Sequence, residues 1–312
     1  MTTVLVTGGA GYLGSTLVPA LLDRGFAVTV VDSFMWDQAS LSAVCHHPDF
    51  SLVRGDVRSI DTMRPLLARA DIIIPLAARV GAPLCDRDPA ATTSTNLQAI
   101  VDMLDHLSRD QMVLLPVTNS GYGVGQAGTF CTEETPINPI SLYARSKVEA
   151  ERILLDRHPS ALSFRLATVF GMSPRLRLDL LVNDFTYRAY MDRFIVLFES
   201  HFKRNFIHVR DVARAFLHGI ENFDAMKGQV YNVGLSDANI SKRELCERIQ
   251  KHVPAFVFLE SPIGVDPDKR DYIVSNDKIE RTGYKPAVSL DDGIRELLKG
   301  YAMVRNTKYS NV

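Results

Sequence analysis

Tyr143 and Lys147 stand four residues apart in Tyr143-Ala144-Arg145-Ser146-Lys147. On a helix that spacing puts both side chains on one face, one turn apart. A free phenol titrates at about 10, so tyrosine alone is a poor base at neutral pH. A nearby ammonium, joined by the positive ring of an oxidised nicotinamide, stabilises the phenolate and lets it take a proton from a hydroxyl. Such pairs are common on amphipathic helices, so this one gains its meaning from a second motif. That motif is Thr7-Gly8-Gly9-Ala10-Gly11-Tyr12-Leu13-Gly14. Gly8 permits a tight turn, Gly11 lets the backbone approach a pyrophosphate, and Gly14 allows close packing of helix on strand. The N–H groups at the helix start, around Tyr12 and Leu13, would then face phosphates. Asp32 ends the next apolar run, where a carboxylate accepts hydrogen bonds from the ribose hydroxyls of an adenosine and repels a 2′-phosphate. No Arg or Lys follows it until Arg54, which favours NAD over NADP. In Gly55-Asp56-Val57, Asp56 and Val57 are within reach of the adenine, although Asp56 serves equally well as a helix N-cap.

These residues need a scaffold, and the chain supplies an alternating one. Thr3–Val6 and Ala27–Val31 are rich in β-branched residues and lack polar alternation, as expected of strands buried on both faces, and Ser51–Val53, Asp71–Ile74, Met112–Leu115 and Ser163–Leu166 are further strand candidates. Helical stretches at Ser15–Arg24, Asp61–Arg69, Asn96–Arg109 and Tyr143–Arg157 separate them. This rhythm predicts an α/β fold with an open parallel sheet covered by helices on both sides. It breaks near Gly171, resumes with a helix at Val209–Ile220 and a strand at Gln229–Val233, and gives way to an irregular end containing Pro254, Pro262, Pro267 and Pro286. Phe194, Phe198, Phe202 and Phe206 recur at helical spacing and read as core packing. The expected division is a dinucleotide-binding domain over 1–170 plus about 205–235, and a smaller substrate-binding cap over 171–204 and 236–312.

Composition narrows the function. In 312 residues, 35 basic against 36 acidic side chains leave a formal charge of −1, so no overall field favours nucleic acid or an anionic membrane. The start, Met1-Thr2-Thr3-Val4, runs straight into a strand without the pattern of a signal peptide, and no apolar run is long enough to cross a bilayer. A cytoplasmic location is expected. Cys45, Cys85, Cys131 and Cys246 are widely spaced, which indicates neither zinc nor a disulfide framework, and the adjacent His46 and His47 lack a third ligand, so no metal is expected.

Jointly, TGGAGYLG, Asp32, Gly55-Asp56-Val57, the Tyr143/Lys147 pair and the run Arg204-Asn205-Phe206-Ile207-His208-Val209 resemble the extended short-chain dehydrogenase/reductase family, in its nucleotide-sugar epimerase and dehydratase branch. The resemblance extends over nearly the whole chain. It implies a Rossmann-type doubly wound sheet, bound NAD, Tyr143 as base, Lys147 in support, and a hydroxyl residue touching the sugar. Four residues before the Tyr of Tyr122-Gly123 that hydroxyl is Thr118, with Ser120 close enough to share the role. Loop hydroxyls also bond locally with ease. By the same resemblance Ala77 and Ala78 let the backbone pass the cofactor, Asn96 sits near the catalytic tyrosine or caps its helix, and Arg204 and Arg270 contact the sugar diphosphate. Thr168 stands where the family usually has a substrate-touching Asn. A homodimer built from Asn96–Arg109 and Tyr143–Arg157 is also implied.

The residues after Thr118 bear on the reaction. The resembling 4,6-dehydratases carry Asp and Glu there, whereas this chain has Asn119 and Ser120, neither an acid–base group at neutral pH. The expectation is therefore a nucleotide-sugar epimerase working through a transient 4-keto sugar. The alternatives are a 4,6-dehydratase or 4-ketosugar reductase on the same scaffold, and a non-catalytic dinucleotide sensor, which would have no need of Tyr143 and Lys147.

Overall fold

The computed structural model describes residues 1–37, 39–263 and 270–304; Pro267 lies outside the described residues. In chain order the strands are β1 (Thr3–Thr7), β2 (Ala27–Asp32), β3 (Phe50–Arg54), β4 (Ile72–Pro75), β5 (Met112–Thr118), β6 (Phe130–Cys131) and β7 (Ala161–Leu166). They continue as β8 (Thr168–Phe170), β9 (Phe194–Phe198), β10 (Lys203–His208), β11 (Gln229–Val233), β12 (Asn239–Ser241), β13 (Val257–Ser261) and β14 (Ile273–Val274). Seven of them form one sheet in the order β11-β7-β5-β4-β1-β2-β3. Every pairing in it is parallel. The parallel α/β sheet expected from the alternating runs, in the Rossmann-type form that the resemblance implies, is what the chain adopts.

Parallel strands need crossovers, and helices cover both faces of the sheet. On one face Leu17, Val18 and Leu21 of the helix Gly14–Asp23 join Phe216 of the helix Val209–Glu221 against Val4, Val28 and Phe164. On the other, Met63, Met103 and Leu154 pack on Leu5, Ile73 and Leu115. The order reverses between β1, which starts the chain, and β4, so the carboxyl ends of those strands open a crevice.

Beyond β7 the chain leaves the sheet. β8, β10 and β12 form a small mixed sheet, with β10 parallel to β8 and antiparallel to β12. β9 and β13 form a parallel ribbon, and β14 pairs with β6. Two expectations fail in this region. Phe194 and Phe198 lie in strand β9, not a helix, and point outward, while Ile195 and Leu197 between them are buried. Only Phe206, in β10, is a core residue of the expected kind, being fully buried. The helix expected over Asn96–Arg109 is in fact a widened turn at Ser94–Gln98 followed by α-helix only to Leu104. Gln111 draws the chain round at that point, accepting from Ser108 N at 2.8 Å and donating to Leu67 O and Ala70 O at 2.7 and 2.6 Å.

Candidate active site

A cleft of about 1060 Å³ opens at the carboxyl ends of the central strands. Its floor is the glycine loop. Gly8 has a φ of +67°, and a Cβ there would meet the Ala77 backbone at 2.7 Å, so only glycine lets β1 and β4 approach this closely. A Cβ on Gly14 would meet Gly9 at 2.5 Å, which fixes the helix Gly14–Asp23 hard against the turn. Gly11, Tyr12 and Leu13 line the cleft between these anchors. At the end of β2 the Asp32 carboxylate accepts from Ala10 N at 3.0 Å and Phe34 N at 2.8 Å, which holds it at the cleft wall. Asp56 and Val57 line the same end. Asp56 does not cap the following helix, a task taken by Ser59; it pairs with Arg58 at 2.5 Å, whose hydrogen bond lowers the Asp56 pKa.

Tyr143 and Lys147 reach the cleft from the helix Leu142–Arg157, capped by Ser141 Oγ on Ala144 N at 3.2 Å. Thr118, the last residue of β5, hydrogen-bonds the Tyr143 hydroxyl. Its Oγ1 also donates to Ser120 Oγ at 3.0 Å and accepts from Ser120 N at 3.1 Å. Arg270 in turn donates to Ser120 Oγ. Tyr143, the two hydroxyls and a guanidinium are therefore one connected group, with Lys147 one turn along the helix. Burial raises the Tyr143 phenol to about 12 and lowers the Lys147 ammonium to about 8, the latter opposed by Glu151 one turn on. The cations that draw the phenol back down are Arg177 first and then Arg270, rather than Lys147. The sequence pointed to Lys147 because it is four residues away; Arg177 arrives only through the fold.

Ala77, Ala78, Thr168, Arg204 and Arg270 all line the cleft. Arg204 is buried, donates to Lys203 O at 2.9 Å and lies 5.7 Å above the Tyr272 ring. Asn96 and Asn119 do not line it. Asn96 stands behind the wall, gripping Arg79 N and O at 2.8 and 2.9 Å and reaching Ser146 Oγ at 3.4 Å, so it props the segment after Ala77–Ala78 against the helix Leu142–Arg157. Asn119 is buried, and neither polar atom of its amide has a hydrogen-bond partner among the described residues. Residues singled out by no motif also enter the cleft: Phe34 and Trp36 after β2, Arg175, Arg177 and Asp179 after β8, and Lys242 and Tyr272. Among the described residues no group of His, Cys, Asp and Glu is arranged to hold a metal ion, and no helix is long and apolar enough to cross a membrane.

Residues 4–234 match the family model described as the NAD dependent epimerase/dehydratase family. The low-salt glycan biosynthesis protein Agl12 of Haloferax volcanii is 29% identical over 312 residues, covering 96% of this chain and 98% of that protein. The UDP-glucuronic acid decarboxylase 1 of Arabidopsis thaliana is 28% identical over 311 residues, covering 96% and 69%. In three dimensions the chain superposes on the UDP-glucuronic acid 4-epimerase of Bacillus cereus, solved with UDP-glucuronic acid and NAD, with a TM-score of 0.86 at 22% identity, covering 97% and 99%.

Proposed function

Since this chain belongs to the NAD-dependent epimerase/dehydratase family, we propose that it is a nucleotide-sugar epimerase that inverts C4 through a transient 4-keto sugar. Its residues suit the family's cofactor. The glycine loop leaves bare backbone where a Cβ would close the cradle, and Asp32 stands at the ribose end. In the division of labour we propose, 1–170 with 205–235 hold NAD, and 171–204 with 236–312 hold the sugar diphosphate. Gly8, Gly11, Tyr12, Leu13, Gly14, Asp32, Asp56, Val57, Ala77 and Ala78 form the seat, with Asn96 supporting it from behind.

NAD, when bound, supplies the oxidising and then the reducing equivalent at C4. Tyr143 takes the proton of the C4 hydroxyl and returns it after the keto sugar has presented its other face. Thr118, hydrogen-bonded to Tyr143, orients that hydroxyl, and Ser120 completes the chain to Arg270. Arg177 and Arg270 supply the positive charge that makes the buried phenol usable as a base, and Lys147, one turn along the same helix, supports it. Arg204, with Arg270 and Thr168, receives the sugar diphosphate.

The observation that carries the epimerase reading is the identity of the groups beside Thr118. A buried amide, outside the cleft, and a serine bonded to Arg270 stand where elimination of water needs an acid and a base. Two carboxylates of the cleft wall, Asp179 and Asp184, are occupied by Arg177 and Arg188. A second reading draws on Arg270: a cation beside the reacting carbon suits a sugar with a C6 carboxylate, and a 4-keto uronate loses carbon dioxide without an added acid–base pair. The test is a panel of UDP-, GDP-, dTDP- and CDP-sugars, uronates included, incubated in heavy water. Inverted C4 with unchanged mass and no carbon-bound deuterium is expected. Loss of water with deuterium at C5 would make it a dehydratase, loss of carbon dioxide a decarboxylase, and net consumption of reduced cofactor a reductase. Inertness towards every sugar would leave a sensor.

A further inference from the structure

Arg175 is the most buried charged side chain of the cleft wall, with 1% of its surface exposed. It belongs to the loop that follows β8, on the sugar side of the molecule, yet its surroundings are those of the cofactor seat. Its backbone N–H donates to Ser15 Oγ at 3.3 Å, in the first turn of the glycine-loop helix. Ser15 Oγ also meets Ser173 Oγ at 2.8 Å, and Ser173 Oγ donates to Tyr12 O at 2.7 Å, so the two loops are stitched together along 12–15 and 173–175. The guanidinium donates to Leu176 O at 2.9 Å and lies 4.8 Å from the centre of the Trp36 ring. Trp36 belongs to the strap after β2, whose Phe34 and Asp37 take left-handed φ values of 54° and 48°. Non-glycine residues hold that conformation at a cost, and such strain collects where a chain is shaped around a ligand.

The contacts of Arg175 locate it along the cleft. Its loop is bonded to Tyr12 and Ser15 at the start of the glycine-loop helix, and its guanidinium lies against Trp36 on the strap that follows Asp32. The start of that helix is where the pyrophosphate of a dinucleotide rests, so Arg175 stands beside that seat. The glycine loop addresses that pyrophosphate with backbone N–H groups from below. Burial and the like charge of Arg177 push the Arg175 guanidinium down to about 10, so an arriving anion relieves both penalties.

We propose that Arg175, stacked on Trp36, clamps the pyrophosphate of bound NAD at the glycine-loop seat and keeps the cofactor resident between turnovers. The clamp joins the strap after β2 to the loop after β8, so release requires the two to part. The inference needs only that the chain binds NAD, and it stands whichever sugar reaction follows.

The test uses the full chain freed of cofactor and compares NAD, ADP and adenosine by calorimetry. In Arg175→Met the dissociation constants for NAD and ADP are expected to rise about 10- to 100-fold, the worth of a charge-assisted hydrogen bond. Adenosine, which lacks the pyrophosphate, should bind as to the unaltered protein. Unchanged ADP affinity overturns the proposal, and so does an equal loss for ADP and adenosine, which would make Arg175 a prop for the loop. Should this variant not fold, the unaltered protein carries the test, because Trp36 is the sole tryptophan of the 312 residues. ADP is expected to change Trp36 emission beyond what adenosine does; identical responses overturn the clamp. Trp36→Leu, on the half-exposed strap, should hasten loss of NAD on gel filtration, and retention equal to that of the unaltered protein also counts against it.

Discussion

Tyr143 and Lys147 are each buried against their charged forms, and that sets their behaviour with pH. Lys147 falls from 10.5 to about 8, so between those values the unfolded chain holds a proton that the folded chain has released. Stability contributed by this residue therefore rises with pH across that window and is lowest below it. Lys147→Met should accordingly raise the melting temperature at pH 7 and raise it less at pH 10, while removing turnover; a gain that grows with pH would contradict the assigned shift. Tyr143→Phe keeps the ring and deletes the oxygen proposed to transfer the proton, so turnover should fall about 10²- to 10⁴-fold with NAD affinity unchanged in titration. Arg204→Ala should weaken the nucleotide sugar and spare NAD in the same experiment. The glycine loop, Asp32 and the Tyr–Lys pair were legible in the sequence because each works within one turn or one strand end. Arg175 and Arg177 were not, since nothing local links them to Asp32 or Tyr143; the return of the chain after β8 does.

Among the elements, the helix Leu290–Tyr301 is fastened to β10 and to the Gly171 turn by one carboxylate. Glu296 lies 2.6 Å from Arg210 and within ion-pair reach of buried His208 at 3.3 Å, and its Oε1 accepts from Met172 N at 3.3 Å. Burial opposes its charge, but His208 and Arg210 outweigh that and hold it at about 2. A depressed carboxylate stabilises above its unfolded pKa, and the benefit is lost as pH falls through the folded one. Glu296→Gln should therefore destabilise at pH 7 in urea titrations, with the difference closing as the pH falls from about 4.3 towards 2. Gly171 has a φ of +112°, and a Cβ on it would strike His208 Nε2 at 2.2 Å, so Gly171→Ala should cost about 2 kcal/mol or more by the same measurement. Strands β1, β4 and β5 were readable because burial on both faces leaves uninterrupted apolar runs, whereas β3 is largely exposed and β7 buries Ser163 and Arg165 on Glu151. The β9 segment was not, because Phe194, Phe198, Phe202 and Phe206 mimic a helical period while the run from Phe194 to Phe198 alternates at period two, burying Ile195 and Leu197.

For the molecule as a whole, we propose a homodimer through the helical face formed by 94–104 and 142–157; light scattering should give twice the mass of one chain, and a single-chain mass would dismiss it. The apolar interior ignores the boundary drawn between cofactor and sugar portions. Val4 and Leu17 near the start belong to the same buried cluster as Phe216, Leu245, Phe256, Leu297 and Tyr301. The Tyr301 hydroxyl donates to Asn183 O at 2.7 Å, and the Tyr12 hydroxyl to Gly171 O at 2.8 Å, tying both ends of the chain to the same middle stretch. Portions that share their main buried cluster melt together. Calorimetry should record a single endotherm, moved upward intact by saturating NAD. The portion proposed to hold the sugar then has no independent existence: it cannot be excised, expressed alone or grafted onto another dinucleotide scaffold, and changes of substrate must come by substitution at the cleft rather than by exchange of modules.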